Sequence, residues 1–218
     1  MPPYALVNTV SAFATTLAGM LALIFSVLRP QPRRWQIVYF SILLTGLATI
    51  WYHGTDEKVF LARLADIGTN LLVAWVIQVA VLQDYYSKRA GWIIAAVSGL
   101  SCLAYLTWMV VVGPDRSRSF PLSFGDFGGF SLGELTLIGN VLLGVGLLVA
   151  KLKCIRPAAR PLVYLMIGWW LVGTVLASGS NKQIDAVFFA WHALWHIEGA
   201  LGFIILWYMN EVRLKESI

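Results

Sequence analysis

The chain contains three histidines, His53, His192 and His196. The last two stand four positions apart, so on a helix they stack on one face. Such a pair can hold one metal ion through two imidazole nitrogens, and His53 can supply a third ligand. Three protein ligands leave a tetrahedral position open, the pattern of a catalytic zinc site; structural sites are closed by four. Zinc lowers the pKa of a bound water to roughly 7, which makes hydroxide available at neutral pH. Asp66 suits that chemistry as a group that accepts a proton from the water and passes it to a leaving group. Thr49, one turn before His53, can donate a hydrogen bond to a developing oxyanion. Each residue also has a plainer reading. A histidine at a helix end is commonly an interfacial hydrogen bonder, and a His-x-x-x-His pair arises often by chance. Asp66 can pair with Arg63, and Thr49 can bond the carbonyl one turn back. The metal reading is favoured because all five residues fall at one depth when the helices are laid out.

Those helices are membrane helices. Of the 218 residues, 59% are hydrophobic and only 12% charged, against roughly a quarter charged in soluble domains. So much apolar surface in so short a chain needs lipid as its solvent. Seven apolar runs have about the 20 residues that a span requires. They extend from about Tyr4 to Leu28, Trp35 to His53, Leu61 to Tyr85, Gly91 to Val112, Ser131 to Leu152, Pro161 to Ala177 and Ile184 to Asn210. Arg29-Pro30-Gln31-Pro32 stops the first. The gaps are too short for a further domain, so residues 1–218 are expected to form a single all-α polytopic membrane domain with seven transmembrane helices. Met1 to Val10 carries no basic stretch and the first run is long enough to span, so no cleavable signal peptide is expected.

The net charge of +5 does not indicate nucleic acid, because the basic residues sit in the gaps between apolar runs and not on one stripe. They set orientation. The odd-numbered loops and the C-terminal tail hold eleven lysines and arginines, among them Arg33, Arg34 and Arg213, against five on the other side. The positive-inside rule therefore puts the N-terminus outside or in a lumen and the C-terminus in the cytoplasm. The histidines then lie on the outer or lumenal side, in the inner membrane of a bacterium or the ER or Golgi of a eukaryote. Cys102 lies mid-segment and Cys154 in a basic loop, so no disulfide is expected.

Other polar positions carry weaker signals. Glu134 begins the fifth helix, where it suits the helix dipole. Glu198, two residues past His196, points off the histidine face. Asn8, Asn70 and Asn140 are expected to bond between helices. Trp35, Trp51, Trp92 and Trp207 near helix ends fit an interfacial belt, while Trp191 and Trp195 pack or face lipid. Gly125 to Gly129 reads as a loop, without the strand and helix of a phosphate cradle. A retinal protein is excluded, since the seventh run lacks a lysine between Lys182 and Lys215.

The run Gly46-Leu-Ala-Thr-Ile-Trp-Tyr-His53, then Asp66, then His192-Ala-Leu-Trp-His196 resembles the alkaline ceramidases. These belong to a heptahelical superfamily with adiponectin and progestin receptors, haemolysin III-like proteins and lipid-anchor remodelling proteins. The superfamily pattern is Ser-x-x-x-His ending the second helix, Asp in the third and His-x-x-x-His in the seventh. Asn8-Thr-Val-Ser11 is similar to the Asn-Thr-x-Ser of the first ceramidase helix. The resemblance covers nearly the whole chain. It implies Zn2+ on His53, His192 and His196, with Asp66 and Thr49 assisting at the water and the substrate carbonyl. An N-terminus outside fits the ceramidase branch, whereas receptors of the adiponectin type have it in the cytoplasm. Three positions depart from the family: Thr49 stands for Ser, Ile67 follows Asp66 where ceramidases have Glu, and no acidic residue precedes Asp56 to form their calcium site. The expected function is a zinc-dependent intramembrane hydrolase cleaving an amide bond of ceramide or a related membrane lipid. The alternative is a non-enzymatic heptahelical receptor or structural membrane protein whose zinc ties helices together.

Overall fold

A computed structural model describes residues 3–55, 57–116, 121–123, 129–180 and 190–214. Its long elements are α1 (Pro3–Leu28), α2 (Arg33–Gly54), α3 (Phe60–Tyr85), α4 (Lys88–Arg116), α5 (Leu132–Ala150), α6 (Arg160–Ser180) and α7 (Ala190–Leu214). Between α4 and α5, β1 (Leu122–Ser123) pairs antiparallel with β2 (Gly129–Phe130). The helices match the predicted runs to within a few residues, except that 184–189, the predicted start of the seventh, and most of the glycine-rich loop lie outside the described residues.

Helices α1 to α6 are each long and apolar enough to cross a membrane. Helix α7 is not among these six, and it carries His192, His196, Glu198 and Asn210 along its length. Large apolar side chains point outward around the bundle, among them Phe13 on α1, Phe40 on α2, Leu100 on α4 and Val175 on α6. Surface of that kind is stable in lipid, where helices satisfy their own backbone hydrogen bonds. The chain is thus built as an integral multi-pass membrane protein.

Local sequence sets where the helices stop and how closely they meet. Ser131 and Glu134 form a capping box at the start of α5: the Glu134 carboxylate accepts from the Ser131 N–H at 2.6 Å, and the Ser131 hydroxyl accepts from the Glu134 N–H at 3.3 Å. This satisfies helix-end donors that would otherwise be orphaned. The regular part of α4 ends at Val112, because Gly113 takes φ 79°, a left-handed conformation open to glycine, and Pro114 follows. Helices α1 and α2 nearly touch at their backbones. A Cβ on Gly46 would lie 2.4 Å from the Thr16 nitrogen, and one on Gly19 would lie 2.4 Å from the Leu43 nitrogen. Small residues at such crossings let membrane helices pack closely, and this crossing fixes α2, which carries Thr49 and His53, against α1.

At the end of the bundle away from the histidines, a buried polar cluster joins α2, α3 and α7. Asp84 accepts hydrogen bonds from Arg34, from Arg213 Nη2 at 2.6 Å and from Trp35 Nε1 at 3.0 Å. Arg213 also donates to Asn210 Oδ1 at 2.6 Å and to the Tyr85 hydroxyl at 3.0 Å, and its guanidinium lies over the Trp35 ring at 4.8 Å. Trp35 is therefore not an interfacial tryptophan as predicted; it is fully buried because its indole N–H serves Asp84. Trp51 and Trp92 are exposed, as a belt requires. The two cysteines are free, Cys102 buried and Cys154 exposed.

Candidate metal centre

Helix α2 delivers His53 in its last turn and α7 delivers His192 and His196 in its first turns. The three rings converge so that one ligand atom from each lies within 4.8 Å of the others. His53 Nε2 and His192 Nε2 are 3.1 Å apart. Two nitrogens each about 2.0–2.1 Å from a tetrahedral zinc would be separated by about 3.3 Å, so the observed spacing suits a shared ion. Without one, His192 can donate its Nε2–H to His53.

Two of the three remaining ring nitrogens, those of His53 and His196, have partners. His53 Nδ1 meets Glu57 Oε1 at 2.8 Å, and a carboxylate there accepts the Nδ1–H and leaves Nε2 bare. Glu57 holds a left-handed backbone, φ 58°, a conformation uncommon for a non-glycine residue and characteristic of functional positions. His196 Nδ1 meets the Ser11 hydroxyl of α1 at 2.8 Å. Ser11 gives its single hydrogen to the Asn8 carbonyl at 3.0 Å, so its oxygen accepts from Nδ1–H, and His196 likewise turns a bare Nε2 inward. Metal-binding histidines characteristically have this second partner, which fixes tautomer and ring orientation. The donor set therefore fits a borderline-soft divalent ion such as zinc.

Asp66 and Thr49 line the same cavity as the three histidines. The Thr49 hydroxyl lies 2.5 Å from Asp66 Oδ1 and 2.8 Å from the Thr45 carbonyl. The back-bond within α2 and a contact to Asp66 thus coexist. Asn70 Nδ2 lies 3.4 Å from the same carboxylate oxygen and donates to the Asp66 carbonyl at 3.0 Å. Asn70 therefore bonds within its own helix rather than between helices as predicted, because position i+4 brings it back over Asp66. Asn140 bonds between helices, through Gln78 Nε2 at 3.1 Å. Asn8 is buried beside His196, and its side-chain oxygen has no partner among the described residues.

The cavity has a volume of about 320 Å³. It runs from the histidines between α2, α3, α5, α6 and α7 to Trp35 and Met209 near the opposite end, and its walls are mostly apolar. From His196 to Met209 the helix rises ~20 Å at 1.5 Å per residue, somewhat more than half of a hydrocarbon core about 30 Å thick. One extended lipid tail fits that length. Helices α5 and α6 touch only lightly, which leaves a seam in the wall.

The structure brings together His53, His192, His196, Asp66 and Thr49, the residues named from sequence. Sequence reasoning passed over Glu57, although it stands four positions after His53, the same spacing that marked the histidine pair. Ser11 entered only within a motif, and its contact with His196 spans helices far apart in the chain. No protein-family model matches the chain, and no curated protein matches it.

Proposed function

We propose that the protein is a zinc-dependent intramembrane lipid hydrolase that cleaves an amide bond of ceramide or a related lipid. The observation that carries this reading is the cavity itself, in which three inward-facing imidazoles and a carboxylate stand at the end of a tail-length apolar channel. His53, His192 and His196 would hold the ion, and when bound it supplies the Lewis acidity that makes a water nucleophilic at neutral pH. The lipid reaches the site sideways through the α5–α6 seam, its tail along the channel and its carbonyl at the histidines. Asp66 takes a proton from the attacking water, and the water oxygen bonds to the carbonyl carbon. Thr49 holds Asp66 in place before that transfer. Once the carboxyl is protonated, the Thr49 hydrogen is released to turn toward the developing oxyanion. Asp66 then returns the proton to the leaving nitrogen as the C–N bond breaks, giving a fatty acid and an amine. In the membrane, seven spans with the N-terminus outside would set this site at the outer or lumenal face.

A second reading rests on the packing. Helices α2 and α7 are held mainly through α1, and the histidines join them directly. An ion that only ties the two helices would make the protein a receptor or structural component. Asp66→Asn separates the two readings. The hydrolase reading expects purified Asp66→Asn protein to keep its zinc and its thermal stability while ceramide hydrolysis falls by about 10²–10⁴-fold, the usual contribution of a positioned general base. Unchanged turnover in this variant, or none by the wild type on any lipid amide, would overturn the hydrolase reading.

A further inference from the structure

An ionisable side chain in a membrane helix is costly and is kept where it meets a partner or a pathway. Asp66 is met by Thr49 and Asn70, Asp84 by Arg34, Arg213 and Trp35, and Glu211 by Gln31. Glu198 on α7 differs. It is 8% exposed and belongs to the cavity wall, beside Trp169, Trp170 and Thr174 of α6. Its backbone carbonyl accepts from Trp169 Nε1 at 2.8 Å, which fixes α7 to α6 at this level. Its carboxyl group lies against the bare backbone of Gly173: a Cβ there would fall 2.4 Å from Oε2 and 2.8 Å from Cδ. Glycine at 173 is what leaves room for the group. Among the described residues, no side chain donates a hydrogen bond to the Glu198 carboxyl and no basic side chain pairs with it.

A carboxyl oxygen in apolar surroundings without a donor gains strongly from any donor a ligand brings, and most from a charged one. Glu198 follows His196 by two positions, so its Cα lies about 3 Å further along the helix. The two side chains leave α7 on different sides yet line the same cavity, so a donor on a ligand in that cavity meets the Glu198 carboxyl near the depth of the histidines. We infer that Glu198, seated on Gly173, forms a polar subsite in the cavity wall that receives an ammonium or hydroxyl group carried near the head of a long-chain lipid. This rests on the proposed function only in taking the occupant to be a lipid.

Binding tests it without turnover. Hexadecylamine, hexadecanol and methyl palmitate share a chain, and only the first two carry a donor. Each is competed, on the purified full-length protein in detergent, against a brominated fatty ester that quenches the cavity tryptophans. Wild type is expected to prefer the amine over the ester by about tenfold or more, the size of a charge-assisted hydrogen bond. Matched preference for the alcohol assigns the subsite to hydroxyls as well, and preference for the amine alone assigns it to ammonium. Glu198→Leu should erase the preference and leave ester binding unchanged. Gly173→Ala, which keeps the carboxyl but displaces it, should weaken the preference. A full preference in Glu198→Leu, or none in wild type, overturns the inference. If Glu198→Leu does not fold, Glu198→Gln takes its place, with a clear loss of amine preference expected. A Glu198-dependent preference in a protein that hydrolyses no lipid leaves the subsite standing and removes the hydrolase, and hydrolysis without the preference does the reverse.

Discussion

Replacing Ser11 by alanine probes the centre from outside the ligand set. The substitution removes one oxygen, 2.8 Å from His196 Nδ1, and disturbs little packing, since Ser11 is buried on α1 and alanine suits a helix. What changes is the partner that fixes the His196 tautomer. Removing such outer partners costs 10–100-fold in metal affinity, roughly 1.4–2.7 kcal/mol. The expected loss is at the low end of that range, about tenfold. Zinc affinity of the purified protein, measured by competition with a chromophoric chelator, reads this directly. Ser11→Thr keeps the hydroxyl and should hold zinc more tightly than Ser11→Ala. Equal affinity in wild type and Ser11→Ala would refute the reasoning, because it would mean that Ser11 does not set the ring that faces the ion.

Gly46→Val places a side chain where a Cβ already falls 2.4 Å from the Thr16 backbone nitrogen. It should force α1 and α2 apart and destabilise the bundle by about 3 kcal/mol, the upper end for overpacking, seen as a lower melting temperature together with weaker zinc retention. Asp84→Asn leaves the buried Arg213 guanidinium without its counter-charge and should cost about 3 kcal/mol, with part recovered by adding Arg213→Met. A melting temperature for Asp84→Asn equal to wild type would show that the cluster contributes nothing to stability.

The helices were legible in sequence because a span announces itself by length and apolarity, and the end of the first by Arg29-Pro30. The site was legible because ionisable residues are rare inside such runs, so the three histidines and Asp66 stood out. What escaped reading depends on which helices become neighbours. Nothing in the local sequence tells that Asp84 on α3 will meet Arg213 on α7, or that Trp35 turns inward to join them. The contact between Ser11 and His196 likewise exists only once α1 packs on α7. Thr49 shows the intermediate case: its one-turn spacing to His53 was plain, yet its contact with Asp66 arises from the α2–α3 packing. Helix α7 shows the converse, since the polar residues that build the site also interrupt its apolar run.

Zinc content of the purified protein, wild type beside His192→Ala, tests most directly whether the three histidines hold a metal. About one zinc per chain in wild type, as a single three-histidine site requires, and none in the variant is the predicted result. Wild type purified without chelators that contains no zinc and takes up none when it is supplied would contradict a metal centre, and would reduce the cluster to hydrogen bonding between α2 and α7.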